Sequence, residues 1–247
     1  MSRSLGDYPD VVDSNSAMRA GEWLLRRVLV GPPLRAYLRL RVEGAEHIPD
    51  TGPVIIASNH LSFVDSMVIP LAAGRKVGFL GKAEYVQGTG AKGWLKRMWF
   101  GEFGGMIPVD REDARAAARS LELAEEHLAR GGAFGIYPEG TRSRDGRLHK
   151  GRTGVGRLAD ATGALLVPCA LTGTDRVQPI GARGLRPHRV TVRFAPPVDV
   201  AALQEQHVKA RLYRAITDEV MAAIALRCDQ ERSADYADRP EPGSPLG

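Results

Sequence analysis

Cysteine is nearly absent: Cys169 and Cys228 are the only two in 247 residues. Two thiols build neither a disulfide framework nor a metal quartet. Cys169 lies in an apolar run, 165–171, where a buried thiol is expected. A reduced, cytoplasmic compartment is the simplest reading. The six histidines include no H-E-x-x-H pair, which argues against a catalytic zinc site; no metal is expected. No G-x-S-x-G occurs, so the serine-hydrolase elbow is missing. No stretch approaches the roughly 18 apolar residues that span a bilayer. Residues 1–16, MSRSLGDYPDVVDSNS, lack an apolar signal core. There is also no dense basic run, so nucleic acid is not an expected partner. Lys+Arg number 34 against Asp+Glu 29, a net charge of +5. Mild basicity with mixed signs fits an anionic lipid surface or an anionic substrate, and equally a solvated surface. The expected placement is peripheral, on the cytoplasmic face of a membrane.

What is present is a 43% hydrophobic chain, long enough for one large α/β domain. Residues 1–16 read as a flexible tail and 229–247, polar and rich in proline, as a disordered one. Between them, 17–228 reads as a single domain. Its first part, 17–45, is amphipathic. A helix at 17–30 carries Trp23, Leu24, Leu25, Val28 and Leu29 among arginines, and Gly31-Pro32-Pro33 ends it. The run 34–42 alternates at its end like a strand. From Val54 onward, strand-like segments (54–57, 77–80, 106–109, 133–137, 165–171) alternate with helix-like ones. The helices are 62–69, stopped by Pro70, then 91–103, 112–130, ended by Gly131-Gly132, and 154–162. The segment 190–194 alternates like an outer strand, and 201–227 reads as one long helix. This order predicts a mixed, mostly parallel sheet flanked by helices, preceded by an N-terminal amphipathic helical segment.

Two blocks carry the chemistry. Asn59-His60-x-Ser62-x-x-Asp65 follows the apolar run 54–57, at the carboxyl end of a strand, where open α/β sheets bind ligands. A five-residue spacing is not a same-face helical spacing, so His60 and Asp65 can meet only if His60 lies in the turn before the helix. Asp65 would then orient one imidazole nitrogen while the other takes a proton. Ser62-x-x-Asp65 also matches a helix capping box, in which Asp65 serves backbone amides alone. Glu139-Gly140-Thr141-Arg142 follows the run 134–137. Arg142 offers a planar fork for phosphate oxygens, Gly140 a close backbone approach and Thr141 a hydroxyl donor. The competing reading is a surface turn with a Glu–Arg ion pair. Arg111, in Pro108-Val109-Asp110-Arg111, supplies a second cation, although Asp110-Arg111 also resembles a helix start.

Gly88-Thr89-Gly90-Ala91-Lys92-Gly93 matches a dinucleotide fingerprint, but seven residues separate it from the preceding strand candidate, where near-adjacency is needed. Two segments, 23–42 and 92–100, interleave Trp, Phe and Leu with Lys and Arg. That composition suits a headgroup boundary, and it also suits an ordinary helix packed on the core.

Taken together, the blocks resemble those of the glycerolipid acyltransferases, typified by the 1-acylglycerol-3-phosphate acyltransferases. Asn59-His60-x-Ser62-x-x-Asp65 is similar to their first block and Gly105-x-x-Pro108-x-x-Arg111 to their second. Glu139-Gly140-Thr141-Arg142 is similar to the third, and Val167-Pro168-x-x-x-x-Gly173 to the fourth. The second block often has an aromatic where Pro108 stands here. The resemblance covers about residues 40–200. It implies transfer of a fatty acyl group from acyl-CoA or acyl carrier protein to the free hydroxyl of lysophosphatidic acid, giving phosphatidic acid. His60 and Asp65 would be catalytic. Arg111, Glu139, Gly140, Thr141 and Arg142 would bind the substrate phosphate, with Asn59, Ser62 and Pro168 in support. No cofactor is implied beyond the acyl donor. The alternatives are the same chemistry on glycerol-3-phosphate or another lyso-lipid, and a non-catalytic membrane-binding member of the fold.

Overall fold

The computed structural model describes residues 30–82, 106–109, 116–182 and 184–238. The expected helices at 17–30 and 91–103, the glycine-rich stretch at 88–93, the basic-aromatic segment 92–100 and Arg111 lie outside these.

Seven strands form one sheet: β1 (Arg41–Glu43), β2 (Val54–Ser58), β3 (Val77–Lys82), β4 (Met106–Val109), β5 (Ala133–Ile136), β6 (Leu165–Thr172) and β7 (Thr191–Phe194), in the order β1-β7-β6-β2-β5-β3-β4. The strands β2 to β6 run parallel, β7 is antiparallel to β6, and β1 lies parallel to β7 at the edge. The mixed, mostly parallel sheet is therefore as expected. However, β7 is not the outer strand, because β1 covers it.

The helices are α1 (Gly31–Tyr37), α2 (Asp65–Ala73), α3 (Ala116–Ala129), α4 (Gly154–Thr162), α5 (Thr174–Val177), α6 (Val200–Gln206) and α7 (Lys209–Ala225). The central strand β2 shows why the sheet needs two helical layers. All five of its residues are buried. Val54 and Ile56 point into a core with Val64, Val68 and Ile69 of the α2 region, while Ile55 and Ala57 point into a second core with Leu128, Leu158 and Ile216. Alternation along one strand thus feeds both faces. Each fully buried Val or Ile contributes roughly 1.5–3 kcal/mol.

Several local readings change. Pro32 and Pro33 open a helix, since both lie in its first turn, where a missing N–H costs nothing. Pro70 lies inside α2, which runs on to Gly74 in the left-handed conformation at φ 70°. The proline deletes one bond, to the Ser66 carbonyl, and the buried apolar residues around it hold the helix. The expected helix 201–227 breaks at His207 and Val208, both extended. Leu203 and Leu212 both pack on the second core. Nine residues at about 100° each would place them on opposite sides of one continuous helix, so the break resets the phase. Residues 229–238, expected within a disordered tail, instead pack against the chain around residue 148, where Ser233 and Ala237 are buried.

Gly135 on β5 leaves room for an aromatic ring. A Cβ there would stand 2.0 Å from Phe79. Phe79 in turn packs against Tyr137, with ring centroids 5.5 Å apart.

Candidate active site

Strands β6, β2 and β5 are adjacent and parallel, so their carboxyl ends emerge side by side. β2 leads into Asn59-His60, β5 into 137–143 and β6 into Gly173. Three stretches spread over more than a hundred residues therefore meet at the carboxyl end of the sheet. This is the physical reason that the first, third and fourth blocks belong together.

The histidine is held at every point but one. Its Nδ1 lies 2.8 Å from Asp65 Oδ2. Its ring stacks on Tyr137, with centroids 3.7 Å apart and an 8° angle between planes. Its backbone N–H donates to Glu139 Oε1 at 3.2 Å, and its carbonyl accepts from the Ser143 N–H at 2.8 Å. The loop after β5 thus clamps the His60 peptide from both sides. The bonds described leave Nε2 uncommitted, on a side chain 16% exposed. An imidazole anchored through one nitrogen to a buried carboxylate is arranged to receive a proton on the other.

Asp65 makes the contacts that both readings of it require. Its Oδ2 accepts from His60 Nδ1, from the Leu61 N–H at 2.7 Å and from the Ser62 N–H at 2.8 Å. The reach back to Ser62 is one half of a capping box. The other half is missing, because Ser62 Oγ donates instead to the Gln178 carbonyl at 2.8 Å, tying this turn to the chain after α5. Asp65 Oδ1 is buried without a partner.

Asn59 acts as an extra rung of the sheet. Its Nδ2 donates to the Leu171 carbonyl at 2.9 Å and its Oδ1 accepts from the Leu171 N–H at 2.8 Å. The side-chain amide mimics a peptide group and extends the β2–β6 pairing by one step. Pro168 sits within β6 opposite Ala57, and its carbonyl accepts from the Ala195 N–H at 2.8 Å. Gly173 is required as glycine: its φ is +88°, and a Cβ would meet the Arg189 carbonyl oxygen at 2.3 Å. A cleft of about 430 Å³ opens beside Leu61, walled by Gly173, Arg176, Arg189, Asp229 and Gln230.

Glu139 is not in the surface ion pair of the competing reading. The residue is fully buried, and its second oxygen accepts from the His149 N–H at 2.9 Å. It therefore braces the site by joining two loops. Gly140, at φ +78°, closes the turn by donating its N–H to the Tyr137 carbonyl at 2.9 Å. Thr141 and Arg142 follow, both partly exposed, and Ser143 returns to His60.

Burial pushes the Glu139 carboxyl up to about 7, against the two backbone N–H bonds that pull it down. The folded protein then holds a proton that the unfolded chain releases near the ordinary value of 4.5. The stability this group contributes is full below that ordinary value and is lost as pH rises through about 7. The expected loss is on the order of 2 kcal/mol. Urea unfolding between pH 5 and 8 checks it, with a flatter slope expected for Glu139→Gln.

Cys169 is fully buried in β6, and burial raises its thiol well above the ordinary range, which is the profile of a packing residue. Among the described residues no group of three His, Cys, Asp or Glu is placed to hold a metal, and no helix is long and apolar enough to cross a membrane. The sequence reading missed Tyr137 as the platform under His60, although its place at the end of β5 was a usable signal. No local signal pointed to the contact of Gln230 Oε1 with Asn59 Nδ2 at 2.6 Å.

The acyltransferase family model matches residues 39–172. A chloroplastic 1-acyl-sn-glycerol-3-phosphate acyltransferase of Arabidopsis thaliana is 33% identical over 153 residues, which are 62% of this chain and 41% of that protein. The chain thus matches about two fifths of the length of that plant relative. The alpha form of the bovine 1-acyl-sn-glycerol-3-phosphate acyltransferase is 26% identical over 221 residues, 88% of this chain and 74% of that one. The crystal structure of the 1-acyl-sn-glycerophosphate acyltransferase PlsC from Thermotoga maritima superimposes with a TM-score of 0.62 at 25% identity, covering 79% of this chain and 76% of the other.

Proposed function

The chain belongs to the acyltransferase family, and within it we propose that this protein transfers a fatty acyl group from a thioester donor to the free hydroxyl of lysophosphatidic acid. The observation that carries the reading is the His60–Asp65 pair, 2.8 Å apart, at the carboxyl end of the central parallel strand. The names of the relatives supply the acceptor.

His60 Nε2 takes the proton of the acceptor hydroxyl as that oxygen attacks the thioester carbonyl. The new C–O bond forms, the C–S bond breaks, and the proton passes from His60 to the departing thiolate. Asp65 holds the ring and stabilises the imidazolium between these steps. Arg142, with Arg111, the Thr141 hydroxyl and the backbone at Gly140, grips the acceptor phosphate and so places the hydroxyl against His60. Glu139 holds that loop in place from behind. Acyl-CoA and acyl carrier protein both present the required thioester. The protein works at a membrane surface, since acceptor and product are both lipids.

The test measures thiol release from acyl-CoA with lysophosphatidic acid, glycerol-3-phosphate or a neutral lyso-lipid as acceptor. Lysophosphatidic acid should give the highest kcat/KM. Arg142→Ala should raise its KM by about tenfold or more, the loss of one charged hydrogen-bond set, and leave a neutral acceptor almost unaffected. An unchanged KM would remove the phosphate grip. Turnover with the neutral lipid alone would replace the acceptor.

A further inference from the structure

Beyond α7 the chain returns to the site as an extended strap, residues 229–238. The Leu148 N–H donates to the Glu231 carbonyl at 2.9 Å, the Ser233 N–H to the Leu148 carbonyl at 2.8 Å and the Lys150 N–H to the Asp235 carbonyl at 2.9 Å. Lys150 and Arg152 lie over the Tyr236 ring, at 5.3 and 5.1 Å. The strap is thus fastened to the segment whose His149 N–H also binds Glu139.

At the head of this strap stands Gln230. Its Oε1 accepts from Asn59 Nδ2 at 2.6 Å, and its Nε2 donates to the Gly146 carbonyl at 3.1 Å. Asn59 is fully buried and has two N–H donors to satisfy. Leu171 takes one, and Gln230 takes the other. Without Gln230 a buried donor would be orphaned one residue before His60, and the amide would leave its rung on β6 to find another partner.

We propose that Gln230 is a positioning residue of the active site: it completes the bonds of Asn59 and thereby fixes where His60 leaves the central strand. The inference rests on the acyl-transfer reading for its kinetic consequence but not for its structural one. It assigns the strap a part in catalysis, although the strap touches no reacting atom.

Two substitutions in the full chain separate the possibilities. Gln230→Met keeps length and volume but offers Asn59 no acceptor. Gln230→Glu keeps an acceptor oxygen for Asn59 and loses the donation to the exposed Gly146 carbonyl, from which its second oxygen must turn toward solvent. With acyl-CoA and lysophosphatidic acid, Gln230→Met should lower kcat about five- to tenfold, the effect of one lost buried hydrogen bond, with both KM values within about twofold. Gln230→Glu should recover most of that loss. Backbone amide exchange, measured without substrate, should quicken at Leu171 and His60 in Gln230→Met and stay at the wild-type rate in Gln230→Glu. Equal kcat in Gln230→Met and wild type, equal losses in both variants, or unchanged exchange at Leu171 would each overturn the proposal. A wild-type protein that turns nothing over while the exchange pattern holds would sink the acyl-transfer reading and leave the support of Asn59 by Gln230 intact.

Discussion

His60→Ala is expected to lower kcat by about three orders of magnitude, within the range that a positioned general base contributes. It should leave both KM values and the unfolding midpoint close to wild type. The fold tolerates the change because what ties residue 60 into the structure is its peptide: the N–H to Glu139 and the carbonyl to Ser143. Alanine keeps both. The substitution removes the imidazole from Asp65 and from the Tyr137 face, and little else. Steady-state thiol release at saturating acceptor measures the effect. A variant that keeps most of its turnover would place the base elsewhere and undo the mechanism proposed above.

The second large effect is at Asp65, where activity and stability separate according to the substitution. Asp65→Ala leaves the Leu61 and Ser62 N–H groups buried without an acceptor. At roughly 1–3 kcal/mol for each orphaned group, several kcal/mol of stability should go, with activity lost alongside it. Asp65→Asn is a finer probe. Three donors converge on Oδ2, while Oδ1 is buried and unbonded. An asparagine can put its oxygen at the crowded position and its NH₂ at the empty one. The two backbone bonds then fix the amide, the His60 Nδ1–H keeps an acceptor, and the fold survives. Only the negative charge behind the imidazolium is gone. That difference, between a charged and a neutral hydrogen bond, amounts to about 1–2 kcal/mol, so kcat should fall by roughly 10- to 100-fold, while the NH₂ left without an acceptor at the buried Oδ1 position costs about 1–3 kcal/mol, less than Asp65→Ala loses. Denaturant melts run beside the kinetics check both halves. An Asp65→Asn protein as unstable as Asp65→Ala would mean that the amide cannot take up this orientation.

The contrast between what the chain disclosed and what it concealed follows from distance in sequence. The run Val54 to Ala57 and the polar turn after it lie within a dozen residues, so a strand end bearing a histidine was readable there. That Asp65 holds both the ring and two amides was readable as two competing sets of contacts, and the structure contains both. Glu139 looked like part of an anion-binding loop because its neighbours Thr141 and Arg142 suit one. Its inward turn depends on the His149 amide, ten residues on, which no local pattern announces. The same limit explains the break at His207 and Val208, where continuous helix propensity yields to the need to bury both Leu203 and Leu212. It explains the C-terminal strap as well: a polar stretch leading into a proline-rich end reads as disordered until its partners around Leu148 are known. The Pro32-Pro33 pair was ambiguous in principle, since proline is found both just beyond helix ends and in first turns.

The small residue at 135 lets Phe79 lie across β5, Phe79 backs Tyr137, and Tyr137 carries the imidazole on its face. The proposed base is therefore founded on hydrocarbon and π-surface, and its one charged contact is buried. Asp65 is closed to dissolved ions. The proposed grip of Arg142 on an anionic acceptor, on a partly exposed side chain, is by contrast open to screening. Rising salt would then act on the proposed reaction through substrate encounter, as a higher KM, and not through the geometry around His60.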